Sequence, residues 1–135
     1  MNHLNSVLLE GELAADPTLF YAEEGTARCT FVLVSKRTVK VPGEPDGLTG
    51  DVGRYAVETN YFNVVCYSHL AETCNEYLRK GRGVRVVGRL RQDELLKLVE
   101  ILAEHVEFKP EWQPELPVNT PEVVNAEVAA SISKK

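Results

Sequence analysis

The sequence predicts an all-β chain: a five-stranded Greek-key barrel with one helix between the third and fourth strands, followed by a disordered C-terminal tail. Three observations predict it. The apolar residues of the first 109 positions recur mostly with the period of two that marks strands. A helical stripe occurs once, between the third and fourth strand segments. Four of the seven prolines fall after residue 109. Strands and helices in alternation would build a parallel sheet; three strands, one helix and two strands instead suit a closed barrel of the OB type, with the helix plugging one end.

Each element follows from local chemistry. Ser6–Leu13 is the first strand, with Gly11 marking a bulge or bend within it. Asp16-Pro17 turns the chain, Leu19–Ala22 is a short strand, and Glu24-Gly25 turns it back. Ala27–Val41 is long and β-branched, with Phe31 and Leu33 as core candidates. Residues 42–53, PGEPDGLTGDVG, hold four glycines and two prolines and cannot be regular structure; they form a long mobile loop. Val57–Tyr67 is the third long strand. Leu70, Cys74, Tyr77 and Leu78 then fall on one helical stripe, with Ser68 as N-cap and Gly81 as stop. In Gly83–Arg91, Val84, Val86, Gly88 and Leu90 point one way and Arg85, Val87, Arg89 and Arg91 the other. A tight connection at Gln92–Leu95 leads into the last strand, Leu96–Phe108. The domain is therefore 1–109, and 110–135 is the tail, which includes Trp112 as an incidental residue or packing anchor.

Composition narrows the function classes. Hydrophobic residues are 44% and charged residues 26%, ordinary for a globular chain. No apolar run reaches the roughly 18 residues of a membrane span. The opening MNHLNSVLLEGEL lacks a basic leader and is interrupted by Glu10 and Glu12, so a cytoplasmic protein is expected. Cys29, Cys66 and Cys74 form no CxxC pair and read as reduced, buried thiols. The net charge of −5 argues against a general affinity for nucleic acid. Its distribution argues otherwise. Residues 28–43 hold Arg28, Lys36, Arg37 and Lys40 and no acid, and residues 79–91 hold six basic residues and no acid. A polyanion responds to such local potential more than to the sum. Solvated faces are the plainer reading of either run alone.

The third long strand carries the chemistry. In TNYFNVVCY, Tyr61, Asn63, Val65 and Tyr67 share one face, and Phe62, Val64 and Cys66 the other, which is a core face. The first set puts two tyrosines on the outside of a sheet. An exposed ring stacks on any nucleobase, for about 1–3 kcal/mol per base. Tyrosines so placed also pack under loops or in subunit interfaces. An enzyme finds little support: His3, His69 and His105 are scattered, only Glu107 shares a side with His105, and no P-loop, dinucleotide fingerprint or nucleophile constellation is present. No cofactor or metal is expected.

These residues resemble the bacterial single-stranded DNA-binding proteins. The likeness runs from about Asn5 to Phe108, through NSVLLEGELAADP (5–17), GTARCTFVLVSKR (25–37), ETNYFNVVCYSHLAETCNEYLRKG (58–81) and VRVVGRLR (84–91). The third segment keeps Thr59, Val64, Val65, Leu70, Ala71, Glu72, Tyr77, Leu78, Lys80 and Gly81 in register with the family pattern. The resemblance implies a homo-oligomer of OB folds, usually a tetramer, that coats single-stranded DNA in replication, recombination and repair without strong sequence preference, in the cytoplasm with the nucleoid. It puts Tyr61 in place of the family's stacking tryptophan, Tyr67 in place of a second aromatic, Lys80 and Arg91 at positions that are usually basic near the DNA, and Phe62 at an inter-subunit position. Arg85 and Arg89 resemble positions near the assembly interface. Asn63 departs from the usual arginine and Val39 from a common aromatic. Gln92–Leu95 replaces a long hairpin that bears further contacts. The end SISKK replaces the acidic tip that recruits replication and repair proteins. Weaker binding or a smaller site is expected.

The DNA-binding set is therefore Tyr61 and Tyr67 for bases, and Lys36, Arg37, Lys40, Lys80 and Arg91 for phosphates, with the 42–53 loop and Arg54 at its edge closing over the strand. The alternative is an assembly or adaptor module of the primosomal type, an OB fold with weak affinity for DNA.

Overall fold

A computed structural model of the chain describes residues 1–42 and 54–110. The 43–53 part of the expected loop and the expected tail from 111 onward, with Trp112, lie outside the described residues. Six strands and one helix follow in order: β1 Val7–Leu13, β2 Thr18–Tyr21, β3 Ala27–Val41, β4 Arg54–Tyr67, α1 Ser68–Tyr77, β5 Gly83–Gln92 and β6 Val99–Phe108. Five of them close a barrel in the order β1-β5-β6-β4-β3, and β1 returns to β3 to seal it. β2 is the short strand after Asp16-Pro17; it pairs with β3 through the Glu24-Gly25 turn, where Gly25 takes φ +92°.

Closure depends on a close approach at Gly11. There β1 leaves β5, which it pairs from Val7 to Glu12, and meets β3 at Glu12↔Val34 and Leu13↔Leu33. A Cβ on Gly11 would lie 2.2 Å from the Val34 carbonyl oxygen, so only glycine lets the strands cross. The Asn5 side chain extends this edge: its amide oxygen accepts from the Leu90 N–H at 2.9 Å and its Nδ2 donates to the Leu90 carbonyl at 2.6 Å.

The interior is filled by alternate residues of every barrel strand. Leu13, Phe31, Leu33, Val64, Val84, Val86, Ile101 and Val106 are buried, and Ala71, Cys74 and Leu78 cap them from α1 and its exit. Each fully buried leucine or valine contributes roughly 1.5–3 kcal/mol of transfer free energy. All three cysteines are buried free thiols. Cys29 and Cys66 face each other across β3 and β4, and hydrogen bonding to Cys29, then to Cys74, pushes the Cys66 thiol up, so it stays protonated.

The helix differs from expectation at both ends. Ser68 is not a cap: it is the first helical residue, at φ +60°, and Tyr67 stands at the N-cap without a capping side-chain bond. The helix stops at Tyr77, before Gly81, whose N–H donates to the Leu13 carbonyl at 2.8 Å. Ala71 takes the buried place expected of Tyr77, which is exposed and tilts against Phe108 with ring centres 6.3 Å apart. Tyrosine sits at the rim because its hydroxyl stays in water.

Two strand boundaries also move. β4 starts at Arg54 instead of Val57, because β3 runs to Val41 and the ladder holds to Val41↔Arg54. β6 starts at Val99 instead of Leu96. The connection spans Asp93 to Leu98: the Asp93 carboxylate accepts from the Leu96 N–H, and Lys97 adopts φ +57°. It is short, as expected from Gln92–Leu95. Leu90, at the same end of the barrel, is 45% exposed although it alternates inward.

Candidate nucleic-acid interface

The outward face of β3 and β4 is set by register. Opposed residues on an antiparallel ladder point the same way, so Tyr61 lies beside Val34, Thr59 beside Lys36, Tyr55 beside Lys40, and Tyr67 beside Arg28. The inward alternates are Phe31, Leu33, Val64 and Cys66. β4 divides into two halves. Val64 and Val65 have β3 on one side and β6 on the other, whereas residues 54–63 pair with β3 alone. Among the described residues no third strand covers that two-stranded ribbon, and its residues are exposed, Phe62 reaching 36% even though it faces inward opposite Leu33.

The two expected stacking residues sit at either end of this division. Tyr61 is 67% exposed. Tyr67 is half-buried, and the Arg91 guanidinium lies over its ring at 5.2 Å and donates to its hydroxyl. Arg91 reaches from β5 across the outward face of β6, the side on which Val65 is buried to 1% despite alternating outward. Arg91 Nε also donates to Glu100 at 2.9 Å. Burial works against the guanidinium charge, but the bonds to Tyr67 and Glu100 outweigh it and hold the pKa above its ordinary value. Arg91 is therefore engaged within the fold, with its side chain 32% exposed.

The expected cations divide by geometry. Lys36 and Lys40 share the Tyr61 face, while Arg37 and Arg54 alternate to the opposite face of the ribbon. Lys80 comes from the segment after α1, where its N–H donates to the Asp16 carboxylate at 2.8 Å. Lys36 and Lys80 meet along one open groove of about 840 Å³, with Arg79, Arg82 and Lys109 opposing Glu10 and Glu12. Val34, the neighbour of Tyr61, lines the same groove. A flat exposed ring thus stands next to a channel with five cations and two carboxylates.

A further aromatic escaped the sequence reading. Tyr55 is 72% exposed on the Tyr61 face. Extending the two-residue alternation of the third strand back by one step would have found it, since Tyr55, Tyr61 and Tyr67 recur every six residues. The outward face of β1, β5 and β6 is of another kind. Arg85 binds Glu10 at 2.8 Å and approaches Glu107 at 3.6 Å, and Lys109 lies 3.4 Å from Glu10. The hydrogen bond from Arg85, then that from Lys109, holds the Glu10 carboxyl below the usual carboxylate range.

Comparison with known proteins places the chain in a family. Residues 4–108 match the single-strand binding protein family. A single-stranded DNA-binding protein of Borreliella burgdorferi is 33% identical over 93 residues, 69% of this chain and 56% of the relative. One from Treponema pallidum is 35% identical over 92 residues, covering 68% and 47%. The chain thus spans about half the length of these relatives. Among solved structures, the single-stranded DNA binding protein from Thermus aquaticus superposes with a TM-score of 0.60 at 27% identity, over 87% of this chain and 46% of that one. A Plasmodium falciparum SSB complex with ssDNA superposes with a TM-score of 0.65 at 23% identity, over 82% and 98%, which establishes likeness of fold.

Proposed function

The chain belongs to the single-strand binding protein family, and from that membership we propose that it binds and protects single-stranded DNA during replication, recombination and repair, without sequence preference. The observation that carries this reading is the Tyr61 ring, two-thirds exposed beside the groove that Lys36 and Lys80 line. In OB folds the second and third barrel strands form the oligonucleotide face, and these are β3 and β4 here. Bases stack on Tyr61, Tyr67 and Tyr55, because every base has a π-face. Phosphates lie against Lys36, Lys40 and Lys80, and binding releases their counterions. Arg37 and Arg54 are on the far side of the ribbon and contact a strand only where it wraps the edge.

The protein acts as a binding protein and not an enzyme, in the cytoplasm with the nucleoid. It works as a homo-oligomer, a tetramer by family resemblance. Support for self-association comes from β1. Among the described residues, Val7–Gly11 pair only with β5, leaving one edge open, and Leu8 beside Val87 is 69% exposed. An open edge with an apolar side chain is a template for a second copy.

A titration of the full chain with oligo-dT at several salt concentrations tests the reading. The expected result is saturable binding whose affinity falls by about 0.7 log units per log unit of salt for each phosphate neutralised. Absence of binding at low salt would contradict it and leave the adaptor module. Light scattering with and without oligo-dT reports the assembly.

A further inference from the structure

Arg28 stands in the middle of a row that crosses three strands. On β3 it lies opposite Tyr67 of β4 on one side and opposite Phe20 of β2 on the other. All three side chains share the outward face. Adjacent strands are about 4.8 Å apart, so the two aromatics flank the guanidinium at roughly 10 Å from each other. Phe20 is 51% exposed. Arg28 Nε is buried and has no hydrogen-bond partner among the described residues.

That orphan donor is unusual on this surface. Arg85 is held by Glu10, and Arg91 by Glu100 and Tyr67. No carboxylate lies within ion-pair distance of Arg28 among the described residues, and its cross-strand neighbours are rings. A guanidinium presents five donors in a planar fork suited to phosphate. The buried Nε is closed to an incoming ligand, so a phosphate would be met by the terminal nitrogens of the fork, which bind no carboxylate among the described residues.

We infer that Arg28 is the phosphate-binding cation beside Tyr67, that Phe20 is an additional base-stacking platform, and that the bound strand therefore crosses from β4 over β3 onto β2. Arg91 is instead a positioning residue: its guanidinium fixes the Tyr67 ring and its charge is balanced by Glu100. The assignment rests on the single-stranded DNA reading of the same face and extends it past the barrel strands.

The experiment is an anisotropy titration with oligo-dT across a salt series, on the full chain and on Arg28→Ala, Arg28→Lys, Phe20→Ala and Arg91→Ala. Melting temperature is read for each. Arg28→Ala is expected to lower the log–log salt slope by about 0.7, and Arg28→Lys to retain it. Phe20→Ala is expected to weaken binding about tenfold with the slope intact. Arg91→Ala is expected to weaken binding and lower the melting temperature while the slope stays. If Arg28→Ala does not fold, Arg28→Gln takes its place with the same expected slope. The assignment is overturned if wild-type protein binds with salt dependence while Arg28→Ala or Arg28→Gln keeps the full slope, or if Arg91→Ala alone lowers it. If the wild-type protein itself fails to bind, the underlying reading is what has fallen.

Discussion

Tyr61 and Tyr67 lie on one strand and one face, yet the fold treats them differently. Tyr61 projects from a two-stranded ribbon, 67% exposed, with Val34 as its cross-strand neighbour. Tyr67 is the last residue of β4, just past the pairing of Val64 and Val65 with β6, its ring beneath Arg91 and its hydroxyl bound by the same guanidinium. Under the proposed function, one ring is free to meet a base at whatever angle the strand offers. The other is fixed before any ligand arrives, at a cost in exposed area and a gain in preorganisation. The two tyrosines therefore differ in their surroundings: Tyr61 has only a β3 neighbour beside it, whereas the Arg91 side chain, reaching from β5, covers and binds Tyr67.

The largest expected effect breaks the fixed half. Tyr67→Ala removes a half-buried ring and leaves the Arg91 donor to its hydroxyl unpaired, so it should cost stability by about 2–3 kcal/mol and weaken oligo-dT binding as well. Thermal melting and a titration measured on the same sample check both. Tyr67→Phe should keep most of the binding and lose only about 1 kcal/mol of stability. Next in size, Tyr61→Ala should weaken binding by about 1–3 kcal/mol and leave the melting temperature unchanged. A fall in melting temperature there would mean that Tyr61 is structural, and the contrast between the two rings would dissolve.

Much of this was legible beforehand. The period-two pattern, the single helix and the turn signals at Asp16-Pro17 and Glu24-Gly25 gave the barrel, and alternation put Tyr61 outward. What escaped depends on partners distant in sequence. Arg91 and Glu100 belong to different strands, and no local pattern says that Arg91 reaches across β6 to Tyr67. Alternation separates Arg37 from Lys36, whereas composition alone makes the basic run a single patch. Val65 alternates outward and is buried all the same, because burial there comes from strands on both sides. Composition alone makes Ser68 a cap, yet the strand runs directly into the helix and the Ser68 backbone takes φ +60°.

The cations repeat the contrast between free and engaged groups. Lys36 and Lys80 line the groove and make no ion pair among the described residues, whereas Arg85 is held by carboxylates. Lys36→Ala and Lys80→Ala should each lower the salt slope of binding by about 0.7, with little change in stability. Arg85→Ala should leave the slope as it is. The smallest effect concerns Glu10, whose folded pKa lies below the ordinary 4.5. Its contribution is present above pH 4.5 and is lost as pH falls through the lowered folded value. Glu10→Gln should therefore flatten the acid limb of the stability curve and leave the neutral-pH titration with oligo-dT unchanged, as equilibrium unfolding across pH would report.

The central claim is that bases lie on the outward face of β3 and β4. Photocrosslinking with a halogenated-uracil oligonucleotide, followed by mass spectrometry of the peptides, reads this directly. Crosslinks at Tyr61 and Tyr67, reduced by excess unlabelled oligo-dT, are the predicted result. Crosslinks confined to the outward residues of β1 and β5, such as Leu8, Val87 or Arg89, would contradict it.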